Sequence, residues 1–181
     1  MKRCLDDNGR RQCGVSSPYR QCDNKQMGIE VERKFLVSNS AWRAAASSAA
    51  TIRQGYLVAD GERTVRIRTR DKVAFITVKG VLVNMARAEY EYKIPLADAN
   101  AMLNTLCLRP LIEKRRHIVL YVGMTWEVDE FFGENAPLVV AELERVDAAQ
   151  ITDMPSWIGQ EVTGDPRYGN ANLARRPYSK W

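Results

Sequence analysis

From residue 29 the chain alternates. Ile29, Val31, Phe35 and Val37 occupy odd positions while Glu30, Glu32 and Lys34 occupy even ones. An extended segment there has an apolar face and a charged face. The same period returns at 55–59, 64–70, 73–79, 86–94, 112–122, 125–131 and 138–145, which together with 29–37 predicts about eight strands. The joins are short and turn-forming: Asp60-Gly61, Arg70-Asp71-Lys72 and Gly123 predict hairpins, and hairpins make antiparallel neighbours. Two helices interrupt the series. One is predicted over 41–50, rich in Ala behind the capping candidate Ser40, and one over 97–107, with Ala99, Met102, Leu103 and Leu106 on one face and Pro110 as its stop. Beyond residue 155, Trp157, Ile158, Tyr168 and Leu173 stand among loop residues. A tail that apolar is expected to cover one end of the domain.

Residues 1–26 break the pattern with Gly, Ser, Asn, Gln and scattered charge. They offer no apolar face to bury and read as a disordered leader. They lack the apolar centre of a secretory signal, and Met27 directly ahead of the first strand suggests an upstream start artefact. The organised domain is expected over 27–181.

At 181 residues the chain suits one domain with a self-sufficient core. No run approaches the roughly 20 apolar residues of a membrane-spanning helix, so no membrane partner is expected. The net charge of +5 suggests nucleic acid until it is mapped. Residues 1–26 hold six Lys or Arg against three Asp, so more than half of the excess lies in the leader and the body is nearly balanced. Clusters, not the total, carry the information. Cys4, Cys13 and Cys22 are spaced too widely for a zinc site, and the single histidine, His117, is remote from them. Cys107 reads as a buried thiol. Nothing calls for an oxidising compartment, and a cytoplasmic setting is expected.

The charged faces are sorted by sign. Side chains two apart on a strand point the same way, roughly 6.5–7 Å apart. Glu30 pairs with Glu32 in this way, Glu89 with Glu91, and Glu142 with Glu144; Arg66, Arg68 and Arg70 form a basic row, and Lys114 stands with Arg116. Lys34 and Lys79 add single cations. A solvated face mixes signs, because like charges side by side repel. Whole strands of one sign suit a closed barrel whose charged faces look inward at a common guest, with helices over its apolar exterior. The predicted fold is α+β, mainly β: an eight-stranded antiparallel β-barrel with a charged interior and a few covering helices. Its guest is a polyanion held through a divalent cation, since oxygen donors favour Mg²⁺ or Mn²⁺ and bases neutralise phosphate oxygens. Five or more bases suit a triphosphate. There is no Gly-x-x-x-x-Gly-Lys loop, and nucleic acid is disfavoured by the same acids. His117 is expected to point outward in a structural role.

The run Ile29-Glu30-Val31-Glu32-Arg33-Lys34-Phe35 resembles the Glu-x-Glu-x-Lys signature of CYTH domains, the triphosphate tunnel metalloenzymes. In order follow Arg53-Gln54-Gly55-Tyr56, Val65-Arg66-Ile67-Arg68, Thr77-Val78-Lys79, Glu89-Tyr90-Glu91, Glu113-Lys114-Arg115-Arg116, Glu127-Val128-Asp129 and Glu142-Leu143-Glu144. The resemblance implies a small bacterial single-domain tunnel enzyme. It implies metal ligands at Glu30, Glu32, Glu142 and Glu144, and phosphate-holding bases at Arg66, Arg68, Lys79, Lys114 and Arg116. Lys34 would face the attacked phosphorus and, with Glu32, carry the chemistry. Glu89, Glu91 and Asp129 match interior acids that touch metal or orient a base. Hydrolysis of inorganic triphosphate is the leading expectation. Thiamine triphosphate hydrolysis and ATP cyclisation stand beside it, with Tyr56 and Trp126 as the aromatic candidates, and so does a non-catalytic polyphosphate or nucleotide-binding module.

Overall fold

The computed structural model describes residues 32–60, 63–83, 86–144 and 153–181, with backbone alone at 82, 83, 86, 87 and 144. The leader and Glu30 lie outside the described residues. The alternating segments form β1 (Glu32–Val37), β2 (Ala46–Ala59), β3 (Thr64–Arg70), β4 (Val73–Val83), β5 (Ala86–Ile94), β6 (Ile112–Tyr121), β7 (Met124–Phe131) and β8 (Val139–Glu144). A short β9 (Ile158–Glu161) joins them from the tail. All lie in one sheet of order β5-β4-β3-β2-β6-β7-β8-β1-β9, and each recorded pairing is antiparallel. Among the described residues no ladder joins β5 back to β9, so the sheet curls round without a hydrogen-bonded seam.

Turn chemistry fixes the hairpins. Tyr121 pairs with Met124 across Val122 (φ 46°) and Gly123 (φ 73°), the double positive-φ turn whose twist matches paired strands. Arg70 pairs with Val73 across Asp71, at φ 50°. The backbone N–H of Thr51 donates to the Asp71 carboxylate at 2.9 Å, and Asp71 N–H donates back to the Thr51 carbonyl at 2.9 Å.

The Ala-rich segment corrects the expectation of a helix over 41–50. Only Trp42–Ala45 makes a helical turn, α1, and the chain is extended from Ala46. Ala46 through Gln54 pair with Val119 back to Ile112 on β6. Intrinsic helix preference amounts to tenths of a kcal/mol per residue, less than the hydrogen-bonded ladder and packing that β6 supplies. The second helix, α2 (Leu96–Thr105), ends two residues earlier than expected, and Cys107 is buried just after it. Its Ala99 and Leu103 pack with Ile67, Ala74, Cys107 and Leu111 on the outer face of β3 and β4. Close approach requires glycine at 55, where an added Cβ would lie 2.7 Å from Cys107 Cβ and 2.8 Å from a Leu111 methyl.

A second outer cluster joins Phe35, Trp126, Val128, Ala141 and Leu143 of the sheet to Trp42 and Trp157. Phe35 and Trp157 both meet the Trp126 ring edge-on at 5.6 Å, the geometry aromatic quadrupoles favour. The tail is held beside β1 by Arg33, which donates to the Glu161 carboxylate at 2.9 and 2.6 Å. The chain then turns into α3 (Asn170–Arg175). Leu173 and Ala174 of α3 pack with Tyr56, Ile112, Phe131, Leu138 and Val140. Register places Tyr56, Ile112, Phe131 and Val140 on the same face as the charged rows, so α3 stops one end of the interior with apolar side chains. His117 shares the outer face with Val119 and meets Trp42 edge-on at 4.8 Å, in the structural position expected.

Candidate active site

Register carries the sorted charges onto one face. Lys34 lies opposite Glu142 and Glu32 opposite Glu144; Glu127 lies opposite Glu142, and Arg116 opposite Asp129. Arg66 faces Thr77, Thr77 faces Glu91 and Lys79 faces Glu89. That face is enclosed: Lys114 is 3%, Asp129 0% and Glu142 4% exposed. Charged groups this deep must be paired, and the pairing defines three stations.

At the first station the ammonium of Lys34 lies 2.7 Å from Glu32 and 2.6 Å from Glu142. Burial, and after it the neighbouring Glu142, pushes the Glu32 carboxyl above its usual range against the pull of Lys34. Glu142 is buried too, yet Lys114, Arg116 and Lys34 together hold it below that range. Burial opposes the charge on Lys34, but Glu142 and Glu32 outweigh it and raise its proton affinity. Lys34 therefore stays an ammonium between two carboxylates of unlike proton affinity.

At the second station Asp129 accepts from Lys114 Nζ at 2.5 Å and from Arg116 Nε and Nη2 at 2.7 Å each. Arg116 Nη2 also reaches Glu142 at 2.5 Å, and its Nη1 donates to Glu127. Burial works against the Arg116 charge, but its hydrogen bonds and attraction to Asp129 dominate and raise its proton affinity. Lys114 makes a further contact, 3.3 Å to Asn170 Oδ1 of α3, which ties the apolar stopper to the charged interior.

At the third station Glu91 Oε2 accepts from Arg66 Nη2 at 3.3 Å, Arg68 Nη2 at 3.0 Å and the Thr77 hydroxyl at 2.8 Å. Lys79 sits 2.8 Å from Glu89. The wall remains over-supplied with positive charge. The Nε atoms of Arg66 and Arg68 are buried without a hydrogen-bond partner. Burial and then Arg66 push the Arg68 guanidinium below its usual range, with Glu91 opposing and Arg116 and Arg70 adding to the repulsion.

Lys34, Glu32, Arg66, Arg68, Lys79, Lys114, Arg116, Glu89, Glu91, Asp129 and Glu142 thus share one face. Glu91 and Asp129 accept hydrogen bonds from Arg66, Arg68, Lys114 and Arg116, and Glu89 pairs with Lys79. The Glu144 side chain and Glu30 lie outside the described residues, and among the described residues no three Asp, Glu, His or Cys gather at metal-binding distance. Glu32 and Glu142 nevertheless fit a hard divalent cation. They are oxygen donors brought together around Lys34, Glu142 buried and Glu32 partly exposed, and their mutual repulsion is one that such a cation relieves. Tyr56 is buried and accepts from Gln54 Nε2 at 2.9 Å, and Trp126 lies in the outer core, so neither ring is placed to stack on a base. Sequence reading passed over Thr77 and Asn170, which are neutral, and left Glu127 without a role. The signal for Thr77 was its alternation with Lys79, two residues on along the same strand face.

An antiparallel sheet curled around opposed rows of buried acids and bases, stopped at one end by an apolar helix, defines a charged-tunnel protein. The chain belongs to the CYTH domain family, whose pattern matches residues 28–178. It is 47% identical over 155 residues to an inorganic triphosphatase of Acetivibrio thermocellus, covering 86% of this chain and 99% of that protein. It is 34% identical over 148 residues to an inorganic triphosphatase of Nitrosomonas europaea, covering 80% and 96%. The crystal structure of an inorganic triphosphatase superposes with a TM-score of 0.64 at 34% identity, covering 82% of this chain and 95% of that one. Among the described residues no helix is long and apolar enough to cross a membrane.

Proposed function

We propose that this chain hydrolyses inorganic triphosphate to pyrophosphate and orthophosphate inside the tunnel, with Mg²⁺ or Mn²⁺ as its cofactor. The observation that carries this function is the basic wall. Buried N–H donors without partners on Arg66 and Arg68 cost free energy until an anion accepts from them. Two relatives named inorganic triphosphatase, one of them at 47% identity, support the same substrate.

The side chains divide the work. Arg66, Arg68 and Lys79 receive the non-bridging oxygens on one wall, while Lys114 and Arg116 receive them on the adjoining one. Both walls are set in place before binding by their acids, so little reorganisation accompanies charge build-up on the transferred phosphoryl group. Lys34, kept protonated by Glu142 and Glu32, donates to that group and stabilises the developing charge. Glu32 and Glu142, with Glu30 and Glu144 as the family signature implies, would hold the cation. When bound, a divalent cation neutralises phosphate oxygens and activates water. Water supplies the new oxygen, the terminal P–O–P bond breaks, and pyrophosphate leaves.

The readings with an organic group on the triphosphate gain nothing from Tyr56, which is packed beneath α3, or from Trp126, which lies in the outer core. A pure binding module would place acids where they repel its ligand. The test is release of orthophosphate from tripolyphosphate, thiamine triphosphate and ATP in chelator and with Mg²⁺ or Mn²⁺. Cation-dependent release from tripolyphosphate above the other two is expected; full turnover in chelator, or preference for an organic triphosphate, overturns the assignment.

A further inference from the structure

We infer that Thr77 is a positioning residue for the phosphate site: its hydroxyl pins Glu91 so that this carboxylate grips Arg66 and Arg68 by their Nη2 ends and leaves both Nε–H groups for phosphate oxygens. The inference rests on the triphosphatase function proposed above and adds a residue that touches no substrate.

Thr77 is fully buried and stands directly across from Arg66 on one side and Glu91 on the other. A hydroxyl has one proton to give and lone pairs to accept with. Here it donates to Glu91 Oε2 at 2.8 Å and accepts from Arg66 Nη2 at 3.0 Å. The same Glu91 oxygen takes both arginine Nη2 groups. A carboxylate beside an arginine ordinarily takes two parallel N–H donors from the guanidinium fork. If Glu91 swung into the side-on form of that geometry, Nε with Nη2, on Arg66 or Arg68, it would consume an Nε–H and release the other arginine. Instead both Nε atoms are buried and unpartnered. Thr77 is the neutral group that holds the carboxylate in the shared position, and the two unpaired donors are the consequence. A phosphate oxygen that reaches this wall meets two unpaired donors and needs no carboxylate to leave first.

The experiment compares Thr77→Val, which keeps the volume and deletes the hydroxyl, with Thr77→Ser, which restores it, in steady-state hydrolysis of tripolyphosphate with Mg²⁺. The valine variant should raise KM on the order of tenfold with kcat little changed, the mark of binding lost equally from ground and transition states. The serine variant should return KM to near the parent value. In a Glu91→Gln background the valine change should add nothing, because the hydroxyl acts through that carboxylate. If the valine variant does not fold, Thr77→Ala beside Thr77→Ser makes the same comparison. Unchanged KM in folded Thr77→Val or Thr77→Ala, a serine variant as impaired as valine, or full additivity with Glu91→Gln overturns the inference. A parent that releases no phosphate from tripolyphosphate overturns the triphosphatase function instead, and the two failures are told apart by the parent alone.

Discussion

Asp129 is the acid whose removal the fold should feel most. It has no exposed surface, and it accepts three charge-assisted hydrogen bonds from Lys114 and Arg116. Asp129→Ala leaves Lys114, only 3% exposed, with Asn170 as its remaining recorded hydrogen-bond acceptor. Arg116 keeps Glu127 and Glu142. Breaking a buried ion pair by deleting one partner costs about 3–5 kcal/mol, because the other charge stays in low dielectric. In a domain of this size each kcal/mol moves the melting temperature by roughly 2–4 °C. Differential scanning calorimetry at low ionic strength should therefore place the variant roughly 6–20 °C below the parent. Tripolyphosphate added in chelator, where turnover is suppressed, should raise the variant more than the parent, since its oxygens replace the missing carboxylate beside two bases. A variant that melts within about 2 °C of the parent would refute the assignment of Asp129 as the counterion on which both bases depend.

Two further outcomes follow from the carboxylates. Glu142→Gln keeps shape while removing the charge that Lys34 and Arg116 share, so tripolyphosphate turnover should fall roughly 100-fold or more; unchanged hydrolysis would remove Glu142 from the chemistry. On the outer face, Arg33 and then Thr163 lower the Glu161 carboxyl from its ordinary 4.5 to about 2. A lowered carboxylate contributes stability above its unfolded value and loses it as pH falls through its folded one. The melting-temperature gap between the parent and Glu161→Gln should be constant near neutrality and close as pH falls from about 4.5 to about 2; a gap that ignores pH would show that the Arg33 bond does not hold β9 by charge.

Strand positions were readable because the alternation is local: a residue such as Phe35 or Val128 must face the apolar side, and its neighbours then face the other. The stretch 46–50 holds only alanine and serine, whose side chains are too small to declare a face, and only pairing with Val119 to Arg116 makes it extended. The ninth strand was hidden for a different reason. Ile158–Glu161 spans four residues, too short for a period to register, and it is held by Arg33 and by the backbone of β1, partners remote in sequence. Thr77 eluded a search for charge because it acts by position.

The sign of each strand was readable; the order of the strands was not, and order decides what the charges do. In chain order the basic rows of β3 and β6 lie far apart. In the sheet only β2 separates them, close enough for Arg116 to depress the Arg68 guanidinium. Acids flank this basic centre on both sides: Glu89 and Glu91 beyond β4, and Glu127, Asp129 and Glu142 on β7 and β8. Among the described residues, Lys34, Arg66, Arg68, Lys79, Lys114 and Arg116 are thereby matched by Glu32, Glu89, Glu91, Glu127, Asp129 and Glu142. A highly charged guest entering so balanced a space raises the local negative charge, and the repulsion from nearby carboxylates cancels much of the attraction of the bases. Affinity then requires added positive charge, and the crowded carboxylates Glu32 and Glu142 are where a cation would do most to supply it. On this electrostatic ground tripolyphosphate and divalent cation should bind with positive coupling, each tightening the other by the same factor. Titration of each in the presence and absence of the other measures that factor, and independent binding would show that the bases alone hold the substrate.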